Sequence, residues 1–116
     1  MDDIKLQVKE YLMRTVPFKI DDFSVFFDIY TTPIAMRLED MKMHAEPAFT
    51  VKIALIAKHP AYDNIGVNII QLYDDRLRGD GYSDWFVRSI CGEIDKGLIK
   101  LCQDIINFAT EDEREE

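Results

Sequence analysis

The side chains that most often carry catalysis or bind transition metals are scarce in this chain. His44 and His59 are its only histidines, and Cys91 and Cys102 are its only cysteines. None of the four stands at the short spacing of a zinc motif. A cysteine-histidine nucleophile pair needs only to meet in the fold, but both cysteines lie on the apolar side of a predicted helix. We therefore expect inert buried thiols, no metal and no cofactor.

Residues 74–84 form the most polar internal segment and contain four aspartates, Asp74, Asp75, Asp80 and Asp84. Carboxylates are calcium ligands, but this spacing lacks the alternating acids, the central glycine and the closing glutamate of an EF-hand loop. Paired glycines and alternating charge are typical of a solvated turn. We interpret the segment as a turn that leads into a helix.

The remaining motifs of common chemistry are missing from the sequence. It has no glycine-rich phosphate loop, no dinucleotide fingerprint, no serine elbow and no basic-aromatic run for RNA. The formal net charge is −8, and residues 111–116 contain five acids and one base, which leaves 17 acids and 13 bases elsewhere. Because acidic proteins are repelled by phosphate backbones and anionic membranes, we expect neither as a direct partner. We also expect the protein not to be an enzyme.

The element that positions most of these residues is a predicted helix over residues 83–108, with Ser83 as a candidate N-cap. Its apolar residues recur on one side at helical spacing. They are Phe86, Val87, Ile90, Cys91, Ile94, Leu98, Leu101, Cys102, Ile105 and Phe108. Such a helix is roughly 39 Å long, so it crosses the whole domain unless it is kinked or divided between Gly92 and Gly97. The two cysteines lie about 16 Å apart on it, too far for a disulfide.

Three further apolar residues of this helix lie away from its main stripe. With Ile94 at the centre of the stripe, Ile99 and Ile106 lie roughly 120° to 140° away, and Trp85 is nearly opposite. One interpretation is that a loop or the first helix covers Ile99 and Ile106. The other is that they form a protein contact, because exposed apolar patches commonly mark interfaces.

The middle of the chain predicts an antiparallel sheet. From Phe23 to Tyr30 the apolar residues alternate, with Phe26 and Tyr30 on the second face, where we expect a helix to cover them rather than a partner protein. Residues 34–38 predict a neighbouring strand, with a bulge or strand end near Met41 and Met43. Residues 49–58 predict the clearest strand. Residues 65–73 fit a strand or a helix, and their Val, Ile and Tyr content favours the strand.

A short helix that begins at Asp2 or Asp3 and stops near Thr15 precedes the sheet, because Pro17 cannot continue it. The predicted fold class is therefore α+β, with a short N-terminal helix, an antiparallel sheet of three or four strands and a long C-terminal amphipathic helix packed on the sheet. We expect one domain over residues 1–109 and a mobile acidic tail over residues 110–116. The acidic start and the lack of a long apolar run predict a cytoplasmic protein.

The leading functional hypothesis is a small, acidic, non-enzymatic protein-binding module that inhibits or occludes another protein. Immunity proteins against basic nuclease toxins, phage-encoded blockers of host defence and secretion chaperones are comparable in size and charge. Against a basic nucleic-acid-binding protein, the carboxylates would mimic phosphates beside aromatic anchors. The interaction candidates are Asp74, Asp75, Asp80, Tyr82, Asp84, Trp85, Ile99 and Ile106.

Two alternatives remain at this point. One is a homodimer or assembly subunit built on Ile99 and Ile106 of the long helix. The other is a small enzyme or ligand-binding domain whose pocket lies between the sheet and that helix. Phe26, Tyr30, Tyr73 and His59 are the residues that would line it.

Overall fold

The computed structural model describes residues 2–33, 49–74 and 81–115. Its elements, in chain order, are α1 (Asp2–Thr15), β1 (Phe18–Ile20), β2 (Phe23–Pro33), β3 (Phe49–Lys58), β4 (Ile65–Tyr73) and α2 (Tyr82–Glu115). The four strands form one antiparallel sheet with both helices packed on it. The predicted α+β fold is confirmed, including the strand over residues 65–73.

The sheet is a simple meander, in which each strand pairs with the next one along the chain. The order is β1-β2-β3-β4, and every pair is antiparallel. The register places Tyr30 of β2 opposite Lys52 of β3, and Lys52 opposite Ile70 of β4. Side chains in such a row lie about 5 Å from their neighbours, so the row forms a continuous surface across three strands.

Strand β1 was not predicted. It has only three residues, too few to show an alternation, and it follows Pro17 directly. Asp21 and Asp22 form the turn that joins it to β2, and Asp21 has a positive φ of 53°. Aspartate tolerates this left-handed conformation better than most residues, which explains how a two-residue turn forms without glycine.

The core lies between one face of the sheet and the two helices. Alternate residues of β3, from Phe49 to Ala57, are at most 2% exposed, as expected for a strand covered on one face. Helix α1 contributes Ile4, Val8 and Leu12 at helical spacing. Helix α2 contributes the buried stripe from Phe86 to Ile105 that its periodicity predicted. The apolar stripes of both helices are therefore buried against this face of the sheet.

Helix α2 is one continuous element of 34 residues, which gives it a length of roughly 51 Å. It passes Gly92 and Gly97 without division and extends beyond the predicted end at Phe108 to Glu115. Its first backbone hydrogen bond runs from the Trp85 N–H to the Gly81 carbonyl, at 3.0 Å. The predicted N-cap, Ser83, is therefore wrong, because this bond makes Gly81 the capping residue.

Two predictions about the sheet fall outside the described residues. The strand over residues 34–38 and the parity shift at Met41 and Met43 both lie between β2 and β3. These remain predictions.

Candidate protein-binding surface

The face of the sheet that points away from the helices carries several large apolar side chains in contact with solvent. Phe26, Tyr30, Ile70 and Leu72 are 46%, 50%, 63% and 49% exposed, respectively. We call this surface, together with the half-buried Ile56 and Lys52 between them, the open face. No element among residues 2–33, 49–74 and 81–115 packs over it. Contiguous exposed apolar surface of this kind commonly marks an interface.

The open face is not flat. Tyr30, Lys52, Asn68 and Ile70 line a shallow depression of about 250 Å³ on it. The strand register brings Tyr30 and Ile70 to either side of Lys52. The depression therefore has one aromatic wall, one aliphatic wall and an ammonium group, which suits an apolar side chain of a partner with a polar or acidic group beside it.

The charge of the open face differs in sign from that of the whole chain. Alternation along the four described strands places Lys19, Lys52 and Lys58 on this side of the sheet, and of the carboxylates in those strands only that of Asp28 lies there. The Lys58 ammonium lies 5.4 Å from the centre of the Phe26 ring, within cation-π distance. In a chain of net charge −8, the open face is a local basic and apolar surface.

Phe26 and Tyr30 correct one expectation. We expected a helix to cover them, but α1 and α2 both lie on the opposite side of the sheet. The prediction failed because it counted apolar residues on both faces of β2 and assumed a cover for each. Because both helices pack on the same face, neither of them covers the second face.

Two residues of the predicted acidic and aromatic site are buried. Asp74 and Tyr82 are only 7% and 8% exposed, and the Asp74 backbone N–H donates a hydrogen bond to the Tyr82 hydroxyl at 3.2 Å. Their burial corrects the expectation that they form a surface. Asp84 is exposed, whereas Asp75 and Asp80 lie outside the described residues.

Trp85 stands at the end of an aromatic stack. Phe49, Tyr73, Tyr82 and Trp85 follow one another with ring centres 4.8, 4.8 and 5.6 Å apart. This stack ties the start of α2 to β3 and β4. Trp85 itself is 42% exposed, so it packs on Tyr82 with one part of its ring and meets solvent with another.

The other predicted contact, which we call the α2 flank, consists of Ile99 and Ile106. These side chains are 60% and 58% exposed, which agrees with their calculated position away from the stripe. Helix α1 lies beside an earlier part of α2, where Tyr11 donates a hydrogen bond to Asp95. Among the described elements, none covers the α2 flank, and its role as an interface stays a prediction.

The four residues suggested for a pocket between sheet and helix do not meet. Phe26 and Tyr30 belong to the open face, on the wrong side of the sheet. Tyr73 ends β4 beside Phe49, whereas His59 follows the far end of β3. His59 packs between Phe23 and Tyr62, with ring centres 4.8 and 4.5 Å away. The suggested ligand pocket is therefore not present in this form.

The potentially reactive groups are explained by packing. His59 Nδ1 accepts a hydrogen bond from the Ala61 N–H at 3.0 Å. Cys91 and Cys102 are free and half-buried, less buried than predicted, and burial together with the nearby Asp95 raises the pKa of Cys91. A raised thiol pKa lowers the fraction of nucleophilic thiolate. Within the described parts of the chain, no three His, Cys, Asp or Glu side chains are grouped to hold a metal ion.

Sequence reasoning missed the part of the site contributed by β4. The signal was present, because Ile70 and Leu72 give β4 apolar residues on the parity opposite to that of Ile65, Val67 and Ile69. That mixture made the segment ambiguous between strand and helix. Because residues 65–73 form a strand, apolar residues of both parities place apolar side chains on both faces of β4.

Comparison of the chain with protein-family models, with curated proteins and with solved structures finds no match. Neither helix, over its described residues, has the length and apolar character needed to cross a membrane. The open face and the α2 flank are the two candidate binding surfaces, because each carries exposed apolar side chains.

Proposed function

We propose that this protein is a non-enzymatic protein-binding module that occludes a surface of another protein through the open face. The observation that supports the proposal is the exposure of Phe26, Tyr30, Ile70 and Leu72 on one side of a sheet whose other side packs against both helices. Full burial of a large apolar side chain is worth roughly 1.5 to 3 kcal/mol, and these half-exposed side chains forgo about half of that each. A partner that covers them recovers part of this free energy. Two free thiols suit a reducing compartment such as the cytoplasm.

The dimensions of the open face support a contact of moderate size. Three strands of nine to eleven residues give a surface roughly 30 Å long and 15 Å wide, on the order of 450 Å². A standard interface buries about 800 Å² on each partner. The partner must therefore also contact the rim of the sheet, or the complex is transient.

The positive charge of the open face indicates which kind of partner surface would bind there. Lys19, Lys52 and Lys58 favour acidic groups around an apolar centre. Phosphate mimicry toward a basic partner is a weaker version of the proposal, because Asp74 and Tyr82, two of its intended contacts, are buried. An apolar partner surface with an acidic rim fits the described residues best.

A capture experiment with matched variants tests this proposal. The tagged protein and two double variants are incubated with lysate of the native host, and the captured proteins are compared by mass spectrometry. Tyr30→Lys/Ile70→Lys changes the centre of the open face. Leu6→Lys/Met13→Lys makes the same chemical change on α1, at side chains of similar exposure.

We expect a stoichiometric partner that the wild type and the α1 variant retain and that the open-face variant loses. Retention of the partner by the open-face variant, at unchanged stability, contradicts the proposal. Loss of the partner by both variants alike also contradicts it, because the contact would then not depend on the open face.

The α2 flank supports a second candidate function, a homodimer or assembly subunit. Ile99 and Ile106 are seven positions apart, which places them on the same side of α2. Two isoleucines bury far less than a stable dimer needs, so a dimer built on them would be weak. Sedimentation of the wild type and of Ile99→Glu/Ile106→Glu over a range of concentrations decides the matter, because only a flank-mediated dimer dissociates in the variant.

A further inference from the structure

The two edges of the sheet differ in how well they are protected from strand pairing. Strand β1 is three residues long, contains Lys19 and follows Pro17. Short length, lysine and proline are the usual means of preventing an edge from pairing. Strand β4, at the other edge, has nine residues without a charge or a proline. Among the described strands, none pairs with its outer edge.

A long uncharged edge of this kind is a template for an additional strand. Strand β4 also carries two exposed apolar side chains of the open face, Ile70 and Leu72. Backbone hydrogen-bonding groups and apolar side chains are therefore available along the same strand. Peptides that add to a sheet use both, the backbone for affinity and alternate side chains for specificity.

The position of α2 decides which kind of strand fits. This helix lies over β3 and β4, since a Cβ at Gly97 would lie 3.0 Å from Leu55 and 3.2 Å from Ile69. Near its start, Ser89 Oγ accepts a hydrogen bond from Gln71 Nε2 at 3.1 Å. Helix α2 therefore stands close to the β4 edge.

A second copy of the chain fits this edge poorly. Pairing β4 with its own copy sets the two strands about 4.8 Å apart and brings the two α2 helices side by side on the same face of the joined sheet. The side of α2 shared with Ser89 carries Glu93, Lys96, Lys100 and Asp104. Lys96 pairs with Glu93 at 3.5 Å and Lys100 with Asp104 at 3.2 Å, both near the surface. A dimer would press these charged rows against each other, whereas a single extended segment brings no helix.

We propose that β4 accepts an extended segment of another protein as a fifth strand of the sheet. The inference rests on the proposed protein-binding function and specifies how the partner is held. The segment has alternating side chains: apolar ones extend the open face beside Ile70 and Leu72, and polar ones lie below Ser89 and Lys96 of α2. The added strand also supplies the contact area that the open face lacks on its own.

A synthetic peptide of the required chemistry tests the mode of binding. The probe is the capped heptapeptide Lys-Val-Thr-Val-Thr-Val-Glu, which is extended, alternating and of no net charge. The control is the same peptide with every valine and threonine N-methylated, which keeps the side chains and removes the backbone donors. Binding is followed by amide hydrogen exchange of the protein, resolved to single residues by NMR.

We expect the β4 amides that point away from β3 to exchange rapidly in the free protein and at least tenfold more slowly with 1 mM probe. The β2 amides stay unchanged, and the methylated peptide has no effect. Equal binding of the methylated peptide, or no protection at 1 mM probe, overturns the proposal. Slow exchange of all β4 amides in the free protein overturns it as well, because the edge is then already occupied.

Two single variants separate this mode from simple packing on the open face. Ile70→Lys, on β4, weakens probe binding at least tenfold, whereas Phe26→Lys, on β2 two strands away, changes it less than twofold. Both side chains are exposed, so both variants are expected to fold. Equal weakening by the two variants refutes strand addition and leaves the proposed function standing. If a partner captured from lysate leaves the exchange of the β4 amides unchanged, strand addition is likewise refuted and the proposed function stands. If Tyr30→Lys/Ile70→Lys retains that partner, the result counts against the proposed function itself.

Discussion

Gly97 of α2 lies directly over Leu55 of β3, so close that a Cβ at position 97 would lie 3.0 Å from Leu55 Cδ1. The same Cβ would lie 3.2 Å from Ile69 Cδ1 on β4. The missing side chain therefore sets the distance between the long helix and the two strands that carry most of the open face. Gly92, one turn and a half earlier, has no atom within 4 Å of an equivalent Cβ.

The two glycines of α2 are therefore expected to respond in opposite directions to alanine. Gly92→Ala raises the free energy of unfolding by about 0.5 to 1 kcal/mol, because alanine is the better helix former and nothing obstructs it. Gly97→Ala gains the same propensity but must displace Leu55 and Ile69, and overpacking costs about 1 to 3 kcal/mol. We expect a net loss of about 1 kcal/mol, measured by urea unfolding. A stabilised Gly97→Ala would contradict this expectation and show that Leu55 and Ile69 make room for the methyl group at little cost.

Ile105 and Ile106 are neighbours in sequence with opposite environments. Ile105 is 1% exposed and Ile106 is 58% exposed. Ile105→Ala should lower the free energy of unfolding by about 2 to 5 kcal/mol, since it leaves a cavity in the core. Ile106→Ala should change it by less than about 0.5 kcal/mol. Denaturant unfolding at low protein concentration measures both, and a large loss for Ile106→Ala that appears only at high concentration would reveal self-association through the α2 flank.

Tyr11 of α1 is expected to titrate abnormally. Its hydroxyl donates a hydrogen bond to Asp95 of α2, and this bond, with a smaller effect of burial, raises the pKa of Tyr11 from 10.0 to about 12. Asp95→Asn should return the pKa of Tyr11 toward 10, because an amide no longer penalises the phenolate. NMR titration of the ring carbon that bears the hydroxyl measures the shift. An unchanged pKa in Asp95→Asn would show that burial, rather than the hydrogen bond, is the cause.

The same group makes stability depend on pH at the alkaline end. The folded state holds the Tyr11 proton to a higher pH than the unfolded state does, so folding stability falls wherever the unfolded state has already lost that proton. The contribution is fully present below pH 10 and is lost as the pH rises toward 12. We expect Asp95→Asn to show a smaller decrease than the wild type in urea midpoints measured between pH 9 and 11. Equal decreases in both proteins would assign the alkaline loss to other groups.

Cys91 is expected to be a slow nucleophile. Burial is the main cause of its raised pKa, and Asp95 adds to it, so little thiolate is present near neutral pH. In Cys102→Ser, which isolates this thiol, reaction with a disulfide reagent at pH 8 should be at least tenfold slower than with free cysteine. A rate equal to that of free cysteine would contradict the inert character assigned to Cys91.

The parts of the fold that could be predicted from the sequence are those with a long, regular pattern. Alternation from Phe49 to Lys58 and helical spacing from Phe86 to Ile105 each report burial on one side, and both elements were predicted correctly. Strand β1 was missed because three residues after a proline carry no period. The extension of α2 beyond Phe108 was missed for a related reason, since residues 109–115 have no apolar stripe.

The candidate site was less predictable than the fold. The positions of Ile99 and Ile106 follow from the geometry of one helix, and their exposure could be calculated. The exposure of the open face depends on which side of the sheet the two helices pack against, and no local pattern in β2 or β4 determines that side. Burial of Asp74 and Tyr82 likewise depends on the aromatic stack, which assembles residues from β3, β4 and α2.

The pairing of Tyr11 with Asp95 joins positions 84 residues apart, and this separation has a consequence for synthesis. The meander of β1 to β4 pairs each strand with the next one along the chain, so its contacts are closer in sequence than those with α2. Its inner apolar face, however, must wait for α2, which follows all the strands, and a helix of the length of α1 is marginally stable alone. The nascent chain therefore exposes Phe49, Ile53 and Leu55 until α2 has left the ribosome. We expect folding to complete only then, because the contact of α1 with α2 also requires that helix.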